Sequence, residues 1–473
     1  MQIQSNNFIE LSSIAIANPD LQAAVAKGTN NGYTKRIDAM FSQGHTHGEA
    51  LRKQAAEAKR RALRNLPALL EQAETRLTEN GFKVLWAEDA AEANTLAVQI
   101  AREHQVRTIT KSKSMLTEEI GLNAALELAG FRVVETDLGE YIIQLNHEAP
   151  SHIIAPVIHK TKAEIRDIFI RELDMPPTDD AAEMVAFARQ KLRAEYFAAD
   201  MGISGANFVI AETGTVALFT NEGNGRLCTS LPRVHIAFAG IEKIVETLED
   251  FGTLAQILPR SGTGQAMTVY TNLINGPRRS DEMDGPEHVY IIFVDNGRSG
   301  IYATDYAEAL SCIRCGACQN ACPVYRSTGG HAYGWVYGGP IGAVLTPLYV
   351  GLEQAKPLPH ASSLCGSCKQ VCPVDIDLPR MLLDLRHDLV EQGMGAWTWS
   401  LGIKGWAATM RSPLLFELGG RAARIGRSWM GEQLPSVLGN WTRYRDFPQF
   451  SSKSFRQMWK EREQQKGVNN EQS

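Results

Sequence analysis

Seven of the eight cysteines lie between positions 312 and 372, and their spacing is the part of the sequence best suited to chemistry. The first motif reads Cys312-x2-Cys315-x2-Cys318-x3-Cys322-Pro323. This is the spacing of a bacterial ferredoxin run, in which three thiolates bind three irons of one cubane cluster. The fourth cysteine precedes a helix-starting proline, points away, and binds a second cluster. The motif therefore predicts iron–sulfur clusters and electron transfer.

The second motif repeats this pattern with one change. It reads Ser362-x2-Cys365-x2-Cys368-x3-Cys372-Pro373, so a serine stands where the first cysteine would be. Because the fourth cysteine of each motif crosses to the other cluster, the first cluster receives a complete set of thiolates from Cys312, Cys315, Cys318 and Cys372. The second cluster receives three thiolates, from Cys322, Cys365 and Cys368.

The fourth ligand of the second cluster stays open in the sequence. Ser362 can supply an alkoxide, water can take the position, or the cluster can be a three-iron form. We expect two iron–sulfur clusters, the first [4Fe-4S] and the second either [4Fe-4S] with a ligand other than cysteine at one iron or [3Fe-4S].

Structural zinc is the alternative metal. Zinc takes four ligands from two CxxC pairs, whereas each run here supplies evenly spaced thiols and a Cys-Pro, which favours iron–sulfur. Small residues stand between the ligands and allow close backbone approach and N–H···S bonds: Gly316, Ala317, Gly366 and Ser367. Cys228 stands apart from the motifs, so we interpret it as an ordinary thiol.

Length and composition restrict the class of protein. The chain has 473 residues, which predicts two to four domains, and its 44% hydrophobic and 21% charged residues are typical of a globular protein. A net charge of −5 does not favour nucleic acid as the main partner. No basic segment followed by an apolar run opens the sequence, and no apolar stretch reaches the ~18 residues of a spanning helix. We expect a cytoplasmic protein with reduced cysteines.

The elements around the motifs follow a helix–strand alternation. Residues 1–65 are predicted as a helical N-terminal segment, and His47 to Leu77 has helical apolar spacing. Residues 66–298 alternate strands with helices, which predicts a mixed α/β domain with a parallel sheet. The segment AAEMVAFARQKLRAEYFAADMG is predicted as one long helix that includes its final Met-Gly. The predicted strands include FKVLWAED, RTITKSKS, FRVVETD, HIIAPVI, NFVIAETG, TVALFT, RVHIAFAG, MTVYTNL and HVYIIFVDN. Residues 299–385 form the cysteine module, and 386–473 a helical C-terminal domain.

Three long segments occur in one order on this chain: KSKSMLTEEIG, GISGANFVIAETGTVALFTNEGNGRLCTSLP and the cysteine module. From about residue 20 to residue 465 the sequence resembles the lactate utilization protein B family. The resemblance implies an α/β domain similar in fold to ribose-5-phosphate isomerase and coenzyme A transferases, followed by a dicluster ferredoxin module. It also implies electron transfer, with two sister subunits, in the oxidation of L-lactate to pyruvate, with the seven motif cysteines as cluster ligands.

Two places in the α/β domain are candidate ligand sites. Lys111, Ser112, Lys113 and Ser114 follow a predicted strand and precede a helix, where open α/β sheets bind ligands, so they form a candidate anion site. A solvated basic turn is the alternative. The Gly-rich loop 221–226 is a candidate ligand cover.

Glu212 follows another predicted strand, and coenzyme A transferases of similar fold use a glutamate nucleophile. Glu212 is therefore a weak candidate for catalysis, and a turn-capping carboxylate is the stronger interpretation. The three histidines of this part of the chain lack ligand spacing: His147, His152 and His159. No GxGxxG fingerprint lies between a strand and a helix, so the two-electron step is assigned to a partner or to an unrecognised cofactor.

The C-terminal domain is rich in tryptophan and arginine. Six of the eight tryptophans follow residue 390, and from Met381 to Ser473 there are 13 Lys or Arg against 9 Asp or Glu. These six tryptophans are Trp397, Trp399, Trp406, Trp429, Trp441 and Trp459. Such residues anchor interfaces, so the tail is a candidate for subunit docking or peripheral attachment to a membrane. Packing on the α/β body is the alternative.

Three functions compete. The first is an electron-transfer subunit of a lactate-oxidising complex, passing electrons to a downstream acceptor. The second is a self-sufficient oxidoreductase whose α/β domain acts on a small carboxylate or acyl-CoA. The third is a non-enzymatic redox sensor that responds through its clusters.

Overall fold

A computed structural model describes residues 3–395, 397–429 and 450–470 of the protein. The chain divides into two compact units, Met1–Glu391 and Gln392–Ser473. The first unit contains the N-terminal helices, the α/β domain and the cysteine module.

The first unit contains ten strands: β1 (Lys83–Ala87), β2 (Thr108–Lys111), β3 (Arg132–Glu135), β4 (Met201–Gly205), β5 (Phe208–Ile210), β6 (Thr215–Thr220), β7 (Val234–Gly240), β8 (Ile244–Val245), β9 (Tyr270–Ile274) and β10 (His288–Val294). Its α/β part and N-terminal segment contain thirteen helices: α1 (Phe8–Ile16), α2 (Pro19–Phe41), α3 (His45–Arg64), α4 (Leu66–Glu79), α5 (Ala90–Glu103), α6 (Met115–Glu119), α7 (Leu122–Leu128), α8 (Leu138–Leu145), α9 (Lys162–Leu173), α10 (Ala181–Ala198), α11 (Asn224–Ser230), α12 (Leu248–Gly262) and α13 (Arg298–Tyr302). The cysteine module adds α14 (Ala317–Ala321), α15 (Pro323–Thr328), α16 (Gly339–Val350), α17 (Ser367–Val371) and α18 (Leu378–Glu391).

Six strands form a parallel sheet in the order β1-β10-β7-β4-β2-β3. Its central strands β7 and β10 are almost continuous apolar runs because helices and a second sheet cover both faces. Helices start where side chains cap them: Asp89 accepts from the amide of Glu92 at α5, and Thr161 forms a capping box with Glu164 at α9. The parallel, helix-covered sheet predicted from the sequence is confirmed.

A smaller sheet, in the order β8-β5-β6-β9, lies against the large one. One face of β10, through Val289, Ile291 and Phe293, shares a core with Val209 and Val216 of the small sheet. The opposite face of β10 packs on α5 and α7. The far side of the small sheet, through Phe208, Ile210 and Ala217, shares its core with the buried cysteines. The cysteine module is therefore built onto the α/β domain.

The N-terminal helices contact the cysteine module directly. Arg36 of α2 is buried and donates to the carbonyl of Val371 at 2.7 Å. Arg52 of α3 donates to the carbonyl of Cys372 at 3.0 Å, and Arg60 to that of Asp375 at 3.0 Å. Arginines from a segment remote in sequence thus hold the chain around the last cysteine.

Three local predictions differ from the structure. HIIAPVI is a series of turns, because the ring of His152 accepts from the amides of Ile154 and Ala155 and competes with strand pairing. MGISG, placed at a helix end, is strand β4, where a side chain at Gly202 would lie 1.7 Å from the carbonyl oxygen of Cys228. The helical run from His47 to Leu77 is two helices that meet at Asn65.

The second unit is helical, with α19 (Trp397–Met410), α20 (Pro413–Trp429) and α21 (Phe455–Asn470). Trp397 and Trp406 of α19 and Trp459 of α21 are exposed. Trp441 and the side chains of Trp399 and Trp429 lie outside the described residues. In the described parts of the chain, no helix is long and apolar enough to cross a membrane.

Candidate metal centre

The first motif is a tight loop that ends in two short helices. Arg314 and Gly316, which separate the first three cysteines, adopt left-handed backbone conformations with φ of 58° and 72°. Cys318 lies on α14, and Cys322 precedes α15, whose first residue is Pro323. The left-handed residues turn the chain back on itself, so that its side chains converge.

Four cysteines from the two motifs line one cavity: Cys312, Cys315, Cys318 and Cys372. This set equals the predicted ligand set of the first cluster, including the cysteine that crosses from the second motif. Three of the four are buried, and Cys312 is half-buried. Apolar side chains complete the wall, among them Ile153, Ile341 and Ile376.

The remaining three motif cysteines form a second group. Burial, with the neighbouring Cys322 and Cys365, raises the pKa of Cys368 to about 12. Cys322 is buried beside Cys365, and Cys365 itself is exposed. The second group therefore contains an exposed cysteine, whereas the first contains none.

The donor set fits iron–sulfur clusters. All eight cysteines are free of disulfides. Burial raises the pKa of Cys315 to about 12 and that of Cys372 to about 11. Buried thiols in an apolar setting are stable either as protonated groups or as ligands of a soft metal that replaces the protons. Packing alone does not require seven cysteines, five of them buried, to converge in two groups.

Backbone amides point at several sulfur atoms. The amide of Arg314 donates to Sγ of Cys312 at 3.4 Å, and that of Ile376 donates to Sγ of Cys372 at 3.4 Å. The amide of Tyr325 donates to Sγ of Cys322 at 3.5 Å. Such N–H···S bonds raise the reduction potential of a bound cluster and orient its ligands.

Ser362 also faces a backbone donor. It is half-buried, and its Oγ accepts from the amide of Leu364 at 3.1 Å. Leu364 and Gly366 adopt left-handed conformations, with φ of 55° and 82°. The second motif therefore folds like the first.

A buried charge network borders the first cysteine group. Arg298 donates to both carboxylate oxygens of Glu119 at 2.9 Å and to Glu242 at 2.7 Å. Arg314 lies 3.6 Å from Glu242 and over the ring of Tyr337. Although burial opposes it, the cations Arg298, Lys243 and Arg314 hold the pKa of Glu242 at about 2. Glu242 is therefore a fixed negative charge between arginines.

Two lysines flank this network. Lys59 of α3 is buried and donates to the carbonyls of Glu242 at 2.7 Å and Ile244 at 3.2 Å. Lys243 follows Glu242 on the same turn and is half-buried. Among the described residues, none lies within hydrogen-bond or ion-pair distance of its amine.

A cavity of about 330 Å³ opens at the carboxyl ends of β2, β4 and β7. This edge is where ligands bind in open α/β sheets. Arg314 and Ile153 line both this strand-edge cavity and the cysteine-lined cavity. The two cavities therefore share a wall.

The candidate anion residues separate into two groups. Lys111 is fully buried, and its amine lies 2.7 Å from Glu135 and 3.0 Å from Glu118, so it is committed to carboxylates inside the domain. Ser112 is buried beside it and does not line the strand-edge cavity. Lys113 and Ser114 do line that cavity, although Lys113 donates to the carbonyl of Ile154 at 2.9 Å. An anion site for all four residues together does not form.

The other candidates take mainly structural places. Glu212 is exposed, lies outside the strand-edge cavity, and accepts from the amide of Leu248 at the start of α12, which is a capping role. Cys228 is buried, contacts Thr136 and does not line the cysteine-lined cavity. The loop 221–226 does contribute to the cavity, through Asn221, Glu222 and Asn224.

The histidines and the aromatic insertion are parts of the packing. His152 is buried and contacts Asn320 at 3.1 Å, His159 contacts Glu148 at 2.8 Å, and His147 is exposed. The aromatics between the motifs are buried: Tyr333 lies in the core that contains the cysteines, and Trp335 and Tyr337 form a separate small cluster. They are not available as an exposed docking face.

The sequence interpretation missed the cations that converge on this centre. Lys243, Arg298 and Arg314 lie on three separate elements of the chain, and the contact between the sheet and the cysteine module brings them together. The segment GRSG before the first motif is the sequence feature that comes nearest to indicating these cations. Its arginine stands among small residues, where it has no packing role of its own.

Comparisons with known proteins agree along the whole chain. The LUD domain matches residues 70–294, the 4Fe-4S dicluster domain 308–376, and the C-terminal domain of lactate utilisation protein B 386–464. Lactate utilization protein B of Bacillus velezensis is 43% identical over 99% of both chains, and that of Bacillus subtilis 42% identical over 100% of both. An uncharacterized electron transport protein, YkgF, of Escherichia coli is 41% identical over 96% of both chains.

Proposed function

The chain belongs to the lactate utilization protein B family, and we propose that it is the iron–sulfur electron-transfer subunit of a complex that oxidises L-lactate to pyruvate. Lactate is named by the relatives, and electron transport is named by the Escherichia coli relative. Beyond what these names state, the proposal specifies the reaction, the sister subunits and a downstream electron acceptor.

One observation carries the proposal: four thiols contributed by two separate motifs line a single cavity. Cys312, Cys315, Cys318 and Cys372 would hold the first cluster, and Cys322, Cys365 and Cys368 the second, with Ser362 as a further candidate ligand. Bound there, iron–sulfur clusters supply reversible one-electron transfer. The chain excludes water from the first group with apolar walls and aims backbone amides at the sulfurs.

The chain gives the two groups different surroundings. The first lies beside the strand-edge cavity and the arginine network, and the second contains the exposed Cys365. Charge near a cluster and exposure to water both tune its potential. We assign electron entry to the buried side and exit to the exposed side.

Anaerobic purification with iron and sulfide determination tests the cluster content. We expect about eight irons per chain for two cubane clusters and about seven if the second is a three-iron form. Zinc in place of iron, or folded protein that takes up no iron, would end the proposal. With the sister subunits added, L-lactate should reduce the loaded protein, as followed by EPR.

A second function is favoured by the strand-edge cavity. A cavity of this size beside the first cysteine group suits a self-sufficient oxidoreductase acting on a small carboxylate. Loaded protein without any sister subunit would then turn over L-lactate with an artificial electron acceptor. Absence of turnover would leave the subunit role alone.

A further inference from the structure

We infer that the strand-edge cavity binds a small 2-hydroxy monocarboxylate, whose carboxylate is held by Lys243 next to Arg314. This inference rests on the proposed function and gives the α/β domain a ligand of its own. It follows from the charges, the unpartnered polar groups and the walls of the cavity.

Of the cations that line this cavity, Lys243 is the one without a partner in the described part of the chain. The cavity is lined by four cationic side chains: Lys113, Lys243, Arg298 and Arg314. Arg298 is occupied by Glu119 and Glu242, Arg314 faces Glu242 and the hydroxyl of Tyr349, and Lys113 donates to a carbonyl. Charged groups removed from bulk water are normally paired. An amine left free in a cavity therefore indicates an anion that the chain itself does not supply.

A first cluster bound through Cys312 would attract this amine, but it would not give the amine a hydrogen-bond partner. The cysteine-lined cavity includes Arg314 in its wall but not Lys243. Nη1 of Arg314 is buried and has no hydrogen-bond acceptor among the residues that the structure describes, so this guanidinium has a free donor at the wall between the two cavities. Lys243 faces the strand-edge cavity alone. The anion expected there is a separate ligand.

The charge balance favours a single negative charge. Around Lys243, three cations, Lys243, Arg298 and Arg314, face two carboxylates: Glu242, and Glu119, which pairs with Arg298. This balance leaves room for one negative charge and disfavours phosphate esters and nucleotides, which carry more. The volume of about 330 Å³ lies at the lower end of small-molecule sites.

The walls indicate the rest of the ligand. Leu218, Phe238 and Leu258 offer apolar surface for a short hydrocarbon. Asn224 is buried at the cavity, and its Oδ1 has no hydrogen-bond donor among the described residues. A buried acceptor of this kind is costly unless a ligand donates to it. A hydroxyl group supplies that donor, and it distinguishes a 2-hydroxy acid from a plain carboxylic acid.

Calorimetric titration of anaerobically purified, iron-loaded full-length protein tests the inference. L-lactate is the probe, with propionate, which lacks the hydroxyl, and inorganic phosphate as comparison ligands. We expect L-lactate to bind more tightly than either. Lys243→Gln should weaken L-lactate binding roughly tenfold or more, since a charge-assisted hydrogen bond is lost. Lys191→Gln, which removes the same charge from an exposed helix, should leave binding unchanged.

The outcomes separate this inference from the proposed function. Iron-loaded protein that binds none of the three ligands, or binds L-lactate equally well as Lys243→Gln, overturns the inference and leaves the electron-transfer role standing. Propionate binding as tight as L-lactate overturns the assignment of a hydroxy acid, and preferred phosphate overturns that of a monocarboxylate. If the purified protein takes up no iron, the proposed electron-transfer function is wrong. Iron and sulfide content, measured on each variant, shows that the clusters are intact.

Discussion

Ser362 occupies in the second motif the place that Cys312 occupies in the first. The amide two residues on donates to each: Leu364 to Oγ of Ser362 at 3.1 Å, and Arg314 to Sγ of Cys312 at 3.4 Å. Both donor residues are left-handed, with φ of 55° and 58°. The hydroxyl of Ser362 therefore has the same orientation in its loop as the thiol of Cys312 has in the first motif.

From this equivalence we expect Ser362 to bind the fourth iron of the second cluster through oxygen. Ser362→Ala should lose that iron and yield a three-iron cluster, about one iron fewer per chain, as seen by iron determination and EPR. Ser362→Cys should retain the full iron content and alter the EPR spectrum of the second cluster. Ser42→Ala, which removes an exposed serine hydroxyl outside both motifs, is the control. Unchanged iron and spectra in Ser362→Ala would exclude Ser362 as a ligand.

The crossed ligand pattern predicts that each fourth cysteine serves the cluster of the other motif. Cys372→Ala should therefore damage the first cluster, and Cys322→Ala the second. The EPR spectrum of each reduced variant is compared with two reference spectra. Cys365→Ala lacks a ligand of the second cluster, and Cys315→Ala lacks a ligand of the first. If Cys372→Ala instead gave the spectrum of Cys365→Ala, each motif would hold its own cluster and the crossed assignment would be wrong.

The exposure of Cys365 predicts that the two clusters lose iron at different rates. An anaerobic chelator should remove iron in two phases, with the faster phase from the second cluster, because only that group has an exposed ligand among the seven cysteines. Iron remaining after the fast phase should give the EPR signal that survives in Cys365→Ala. A single phase would mean that the buried group is equally accessible, contrary to its burial.

Much of the centre was predictable because its information is local. Ligand spacing and the Cys-Pro steps are set within a few residues, so Cys312 to Cys322 could be interpreted without the fold. The parallel sheet was likewise evident from the apolar runs of β7 and β10. A strand such as β4 was missed because MGISG has only one β-branched residue, Ile203, and its glycines are needed where Cys228 and Ser114 approach the strand.

The environment of the centre was not predictable, because it is formed by long-range contacts. Lys111 looked like a surface cation beside Lys113, yet its neighbours Glu118 and Glu135 enclose it within the domain. Lys243 gave no signal in the sequence. Its isolation is a property of where the turn 241–243 meets the cysteine module, which no short pattern encodes.

Buried His235 predicts a loss of stability in acid. It lies on β7 against Ser204, and burial lowers its pKa from 6.5 to about 3. Between these values the unfolded chain binds a proton that the folded chain does not, so stability is complete above pH 6.5 and falls as the pH decreases. The loss due to this residue should reach about 2 kcal/mol at pH 5.

Urea unfolding of the protein at pH 7 and pH 5 measures this effect. In His235→Gln the difference in unfolding free energy between the two pH values should shrink by that amount, whatever the variant's absolute stability. His47→Gln, which changes an exposed histidine, should keep the full difference. An unchanged pH dependence in His235→Gln would show that this histidine is protonated in the folded protein.

The second compact unit predicts that partner docking and cluster binding are separable. Residues 1–391 have their own cores and contain every motif cysteine, so deletion of 392–473 should leave iron content unchanged. The deleted unit carries exposed apolar residues on α19, among them Trp397 and Trp406. Exposed tryptophans of this kind are typical interface anchors. We therefore expect the deletion to abolish co-purification with a sister subunit.

A paired substitution tests the same surface in the full-length protein. Trp397→Ser with Trp406→Ser should weaken subunit binding roughly 30-fold, the effect of removing an interface hot spot. Leu128→Ser, which changes an apolar residue that is 92% exposed on the first unit, is the matched control. Capture of the wild-type protein, but not the paired variant, by anionic lipid vesicles would instead make α19 a membrane-attachment element. If both variants bind the sister subunit like wild type, the docking surface lies elsewhere on the chain.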